Sequence, residues 1–171
     1  MRFDRTFARN LILIVALTFS TEAMAQTSSV NFKISFAGRV DCDQPFRMQN
    51  IPIRGDGTGV LNQDGSITAD VTQTAFILST TIHFAGRLGA PPTPAPGGTA
   101  QARVAGRNNL RLIWNLPNNQ LIIHIAVRGQ SCSARFEPKL FPGKSQYTLF
   151  RGPGYYYCGR PRLEQASCQV Q

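Results

Sequence analysis

The side chains of this sequence that could do chemistry are mostly arginines, and they are concentrated in its second half. From Val71 to Phe136 there is no acidic residue at all. The guanidinium group is planar and permanently charged, and it binds phosphate and carboxylate groups through paired hydrogen bonds. We therefore expect an anion-binding surface in this segment. Its candidate residues are Arg87, Arg103, Arg107, Arg111 and Arg128.

The distribution of charge suggests what kind of partner such a surface would meet. Residues 71–171 carry eleven basic and two acidic side chains, whereas residues 26–70 are nearly balanced. The N-terminal residues described below predict an exported protein. The anions that such a protein meets include lipid headgroups, lipopolysaccharide and acidic glycans, and we expect the partner to be an envelope component of this kind. The alternative is that singly spaced arginines only keep the protein soluble, because the sequence does not show whether they converge.

Other reactive residue types are few. His83 and His124 are the two histidines, and each falls within an alternating segment typical of a strand. The stretch Gly129-Gln-Ser-Cys-Ser133 lacks the G-x-S-x-G pattern of a serine nucleophile. No metal-ligand motif, phosphate-binding loop or dinucleotide fingerprint occurs. We therefore predict no catalytic residues, no metal site and no cofactor.

The four cysteines are predicted to form two disulfides. Cys42, Cys132, Cys158 and Cys168 all follow an apparent export signal, and C-x-x-C spacing, which would favour zinc, is absent. Four cysteines allow three connectivities, among which the sequence does not choose. We favour Cys158 with Cys168, which closes a short loop, and Cys42 with Cys132.

Residues 1–25 have the three parts of a secretion signal. Arg2, Arg5 and Arg9 precede an apolar run that begins at Leu11, and small residues lead up to Ala25. The run is about nine residues long, whereas a membrane-spanning helix needs roughly 20. We predict a signal helix that is cleaved before Gln26, a mature chain without a transmembrane segment, a periplasmic or secreted location, and a bacterial source.

Alternation of apolar and polar residues dominates the mature chain, which we expect to be a single domain over residues 26–171. It predicts an all-β fold, an antiparallel sandwich or small barrel of about 8–10 strands. A change of phase at Gln49-Asn50 indicates a bulge or bend. Two segments are interpreted as irregular. Gly55–Gly59 has the composition of a turn, and the Pro/Gly-rich residues 89–98 are predicted to form a surface loop outside any ladder.

The best-defined element is a hairpin over Leu110–Arg128. With Asn118-Asn119 as its two turn residues, Leu112 faces Ile125 and Trp114 faces Ile123, so that all apolar partners share one face. Ile113 and Ile122 are apolar on the opposite face, which indicates a central hairpin covered on both sides.

A short repeat suggests a second grouping of arginines. Ile34–Val40 and Ile82–Leu88 are nearly identical, and Val104–Arg107 is a weaker third copy. If the copies were structurally equivalent, Arg39, Arg87 and Arg107 would project from one rim.

These observations favour a non-enzymatic binding domain of the cell envelope, or a secreted one, that engages an anionic partner through its arginines. One alternative is a small barrel that carries an apolar ligand in an interior cavity. Another is an enzyme whose site is assembled from scattered residues, with His83 or His124 meeting an acid in a cleft.

Overall fold

A computed structural model describes residues 29–87, 89–106 and 108–171. The predicted signal helix and its cleavage site lie outside these residues. The described chain is all-β, without a helix, and so holds no helix able to cross a membrane. It has twelve strands rather than the expected eight to ten, because several short strands were not recognised. They are β1 (Val30–Gln44), β2 (Met48–Leu61), β3 (Ile67–Ala75), β4 (Leu78–Gly86), β5 (Thr93–Ala95), β6 (Gly98–Val104), β7 (Asn109–Asn115), β8 (Asn119–Arg128), β9 (Ser131–Leu140), β10 (Tyr147–Phe150), β11 (Tyr155–Cys158) and β12 (Arg162–Val170).

The strands form two antiparallel sheets. The first has the order β10-β11-β1-β2-β3-β4, and β12 pairs with the same edge of β1 as β11 does. The second has the order β5-β6-β7-β8-β9, with the predicted hairpin β7–β8 near its centre. Side chains at alternate positions of both sheets form one shared core, which is the arrangement that a period of two requires.

The glycine-rich segment Gly55–Gly59 is not a turn, as its composition had suggested, but the middle of β2. Gly55 pairs with Phe36 and Gly59 pairs with Phe32 on the neighbouring strand β1. A Cβ atom at Gly55 would lie 2.1 Å from the Phe36 ring, and one at Gly59 would lie 2.3 Å from the Phe32 ring. The glycines are therefore needed because two large rings cross this strand. The bulge predicted at Gln49-Asn50 is confirmed by a register shift opposite these residues.

The Pro/Gly-rich segment was also predicted incorrectly in part. Thr93–Ala95 forms a three-residue edge strand that pairs with β6. Pro94 is tolerated there because an edge strand needs ladder hydrogen bonds on one side only.

The hairpin β7–β8 has the predicted faces but not the predicted register. Leu112 pairs with Ile123 and Trp114 with Leu121, a slip of two residues. The N–H of Leu116 donates to the carbonyl of Asn119 at 2.8 Å, so that the turn is shifted by one residue and Pro117 lies inside it. In the predicted two-residue turn Pro117 would have had to donate a hydrogen bond, which proline cannot do.

Two disulfides are present, but their pairing differs from the favoured one. Cys42 is bonded to Cys158, and Cys132 is bonded to Cys168. Cys158 lies beside Cys42 on β1, whereas Cys168 pairs with Ile34. Eight residues of strand, about 27 Å, separate these two levels, far more than a disulfide spans. Two disulfides indicate an oxidising compartment outside the cytoplasm.

The sequence repeat does not place its arginines on one rim. Arg39 pairs with Pro52 near one end of the first sheet, where its guanidinium is 3.0 Å from the Glu164 carboxylate. Arg87 follows Gly86, which pairs with Ile67. Ile67 pairs with Leu61, and Leu61 with Val30, so Arg87 lies near the other end of the sheet. Nine residues of β1, about 30 Å, separate the two levels. Arg107 lies outside the described residues.

Candidate anion-binding face

Four basic side chains lie in register across the outer face of the second sheet. Arg103 of β6 pairs with Arg111 of β7, Arg111 with His124 of β8, and His124 with Arg135 of β9. The residues that precede and follow these positions point into the core, so all four point outward. We call Arg103, Arg111, His124 and Arg135 the cationic row. With strands about 4.8 Å apart, it extends about 14 Å across the sheet.

A single carboxylate neutralises one end of the cationic row. Glu137 accepts hydrogen bonds from His124 Nε2 at 2.7 Å and from Arg135 Nη2 at 3.2 Å. At the other end, Arg103 Nε donates to the amide oxygen of Gln101 at 2.8 Å. Among the described residues, no carboxylate lies within 4 Å of Arg103 or Arg111. Their charges are thus side by side and uncompensated.

Two surface grooves lie along the cationic row. The first, of about 420 Å³, is lined by Arg111, His124 and Arg135. The second, of about 280 Å³, is lined by Arg103 and by Arg87, which follows β4. The buried Gln101 holds this second groove in shape, since its amide donates to the carbonyl of Ala90. Both grooves have room for a group the size of a phosphate, a sulfate or a sugar carboxylate.

An apolar pair lies next to the cationic row. Ile113 and Ile122 face each other across β7 and β8, and both are buried although they point away from the main core. This covers both faces of the central hairpin, as the sequence predicted.

Asp64 lies within electrostatic range of Arg87. Its pKa is below the ordinary value chiefly because the Ser66 hydroxyl and N–H donate hydrogen bonds to the carboxylate, with a smaller contribution from the charge of Arg87. The two groups do not form an ion pair within 4 Å in the described structure.

The structure brings together three of the five arginines predicted to bind an anion. Arg87 and Arg103 share a groove, and Arg103 and Arg111 are direct partners. Arg128 lies on the same face of β8, but at the strand end, four residues or about 13 Å from His124. Arg107 lies outside the described residues.

Arg135 and His124 belong to the row, although neither was predicted to bind an anion. The predicted register of the hairpin placed Arg111 opposite Ala126 and His124 opposite Ile113. Because the predicted register was wrong by two residues, it did not place Arg111 opposite His124. The signal was present in the sequence, because all four residues occupy outward positions, but it required the correct turn at Pro117.

Both histidines contact carboxylates. His83 pairs with Asp70 on the exposed surface, and His124 with Glu137 as described. In the described part of the chain, no serine or threonine hydroxyl is hydrogen-bonded to either imidazole, and no group of three potential metal ligands is found. In both cases an imidazole and a carboxylate on neighbouring strands hydrogen-bond across the sheet surface.

In comparisons with known proteins, no family model, curated protein or solved structure matches this chain.

Proposed function

We propose that this protein is an exported binding domain that holds an anionic glycan of the cell envelope, free or lipid-linked, on the outer face of its second sheet. The glycan would carry phosphate or carboxylate groups. Arg103 and Arg111 would bind these directly, and Arg87 and Arg135 would extend the contact through the two grooves. The protein would act outside the cytoplasm, in the periplasm or after secretion, following removal of residues 1–25.

The observation that supports this proposal is the direct pairing of Arg103 with Arg111. Like charges opposite one another in a sheet destabilise it. No carboxylate within 4 Å offsets these two within the described chain. An anion between the two guanidinium groups would remove the repulsion and accept charge-assisted hydrogen bonds from both.

The proposal is tested by binding of purified lipopolysaccharide and of its lipid-free polysaccharide at several salt concentrations. Binding should weaken steeply as ionic strength rises, because exposed charges are screened. Equal binding of both forms would indicate recognition of the glycan, and binding of the lipid-linked form alone would indicate a lipid headgroup.

The variant Arg103→Gln/Arg111→Gln should bind at least about tenfold more weakly, since two charge-assisted contacts are lost. Lys33→Gln/Arg54→Gln, measured with the lipid-free polysaccharide, is the matched control, because it also removes two exposed charges within strands, both on the first sheet and with the uncharged neighbours Thr58 and Ala37. Equal loss in both variants would show that only net charge matters and would overturn the assignment of the face.

A further inference from the structure

The turn between β3 and β4 contains large apolar residues, although its backbone geometry favours glycine or asparagine. Ala75 pairs directly with Leu78, so that Phe76 and Ile77 are the two turn residues. Phe76 has a φ of +59°. A tight hairpin favours glycine or asparagine at such a position, and a bulky side chain there is strained. The chain therefore keeps a phenylalanine at a position where folding alone would favour glycine.

Both side chains of this turn are also exposed. Phe76 is 54% exposed and Ile77 is 79% exposed. Phe46, at the tip of the β1–β2 hairpin, is 67% exposed. Among the described residues, these three are the large apolar side chains with the greatest exposure. The N–H of Phe76 donates to the carbonyl of Pro52, so both tips lie at the same end of the first sheet.

We infer that this end of the first sheet inserts Phe76, Ile77 and Phe46 into the interfacial region of a lipid bilayer. The inference is independent of the proposed anion-binding face, which belongs to the other sheet. A stable protein partner would bury a contiguous surface of about 800 Å² on this chain. Here the apolar side chains stand on two separate turns with the exposed Gln49 and Asn50 between them. A fluid lipid surface accommodates isolated tips of this kind.

Charges beside the tips favour a membrane with anionic headgroups, because two arginines without a carboxylate partner outweigh the exposed carboxylate of Asp43. Arg47 follows Phe46 directly, and Arg54 pairs with Thr74, two residues before Phe76. Neither arginine has a carboxylate within 4 Å among the described residues. A polar belt below the Phe76–Ile77 tip consists of Arg54, Thr74 and Ser79. Arg54 pairs with Thr74, and the hydroxyls of Thr74 and Ser79 are hydrogen-bonded at 2.8 Å. An apolar tip above a polar, cationic belt is the arrangement of interfacial membrane anchors.

The substitution Phe76→Gly separates a structural role from a membrane role. Glycine adopts a positive φ without strain, so Phe76→Gly should raise the melting temperature. In the combined variant Phe76→Gly/Ile77→Ser, co-sedimentation with vesicles of phosphatidylcholine and phosphatidylglycerol should fall at least about tenfold because the apolar tip is lost. Ile77→Leu preserves the apolar surface and should bind like the unchanged protein. A lower melting temperature for Phe76→Gly would show that the turn serves folding.

A fluorescent probe tests insertion directly. Trp114 is the single tryptophan of the chain and is buried, 2% exposed, so its emission should not respond to lipid. In Ile77→Trp the new indole should shift to shorter wavelength when vesicles are added. Vesicles of phosphatidylcholine alone should give a smaller shift, because they do not attract Arg47 and Arg54.

Three further results would overturn the inference. They are an unchanged spectrum of Ile77→Trp, vesicle binding that does not change in Phe76→Gly/Ile77→Ser, and self-association in sedimentation velocity that Ile77→Ser abolishes. The last would assign the tip to a second copy of the chain. Arg103→Gln/Arg111→Gln should bind phosphatidylcholine vesicles normally, so that failure of the anion-binding proposal is distinguishable from failure of this one.

Discussion

The ring of Phe36 stacks on the ring of Phe136, with 4.7 Å between their centroids and 21° between their planes. Phe36 belongs to β1 of the first sheet and Phe136 to β9 of the second. The stacked pair thus lies across the interface at which the two sheets bury their apolar faces.

Phe136→Ala should destabilise the protein by about 3–5 kcal/mol, since it removes a buried ring and leaves a cavity against Phe36. Urea denaturation followed by circular dichroism measures this free energy. Phe46→Ala is the control, because Phe46 is largely exposed and its removal should change stability by no more than about 0.5 kcal/mol. Similar losses in both variants would contradict the role of the stacked pair.

Gly59→Ala should destabilise the fold by about 1–3 kcal/mol, the usual effect of overfilling a packed core. Its Cβ atom would lie 2.3 Å from the Phe32 ring and 2.8 Å from the Ala69 Cβ. Adding Phe32→Leu should recover part of this loss, because the smaller side chain leaves room for the methyl group. A fully additive double-mutant cycle would show that the two positions do not interact.

The glycines of β2 also show why part of the fold could not be predicted from the sequence. Alternation identified the all-β class and the faces of the central hairpin, because burial on one face imposes a period of two. Glycine has no side chain with which to show such a pattern. The residues that explain Gly55 and Gly59 are Phe36 and Phe32, which lie on a different strand.

The candidate site was predicted in part for a similar reason. Composition identified an acid-free, arginine-rich segment, and three of its candidates converge. The alignment of Arg111 with His124 and Arg135 depends on strand register, which a single turn determines. The disulfide pairing depends on which strands share an edge, information that cysteine spacing does not carry.

Peptide mapping under non-reducing conditions should recover Cys42 linked to Cys158 and Cys132 linked to Cys168. Replacing Cys132 and Cys168 together by alanine should lower the free energy of unfolding by about 4 kcal/mol, because their bond closes a long loop in the unfolded chain. The two cysteines are 36 residues apart in the sequence. Their disulfide joins β9 to β12, and hence one sheet to the other.

In the variant that lacks Cys132 and Cys168, amide hydrogen exchange should accelerate more in β9 and β12 than in the central strands β2 and β7. Replacing Cys42 and Cys158 by alanine is the comparison, because that bond links neighbouring strands of the same sheet. An identical exchange pattern in the two variants would indicate that neither bond holds a particular edge of the fold.

Asp64 should titrate below its ordinary pKa of 3.8, since hydrogen bonds from Ser66 favour the carboxylate. Because the folded protein has the lower pKa, this stabilisation is present above pH 3.8 and is lost as the pH falls through the folded value. Asp64→Asn should therefore be less stable than the unchanged protein at neutral pH and equally stable in acid. Carboxyl NMR titration and denaturation at several pH values test this, and a stability difference independent of pH would contradict it.

Arg111→Gln should make the protein more stable at low salt, although it weakens binding of the anion. The substitution removes one of two like charges that face each other at Arg103, and such pairs cost roughly 0.2–1 kcal/mol. The gain should disappear in high salt, where the charges are screened. Thermal melts at several salt concentrations measure it, with Arg54→Gln as control. A gain that persists at high salt, or one that Arg54→Gln shares, would mean that the repulsion between Arg103 and Arg111 is not its source. If the gain is confirmed, the chain keeps Arg111 at the expense of stability, as expected when a residue is retained for binding.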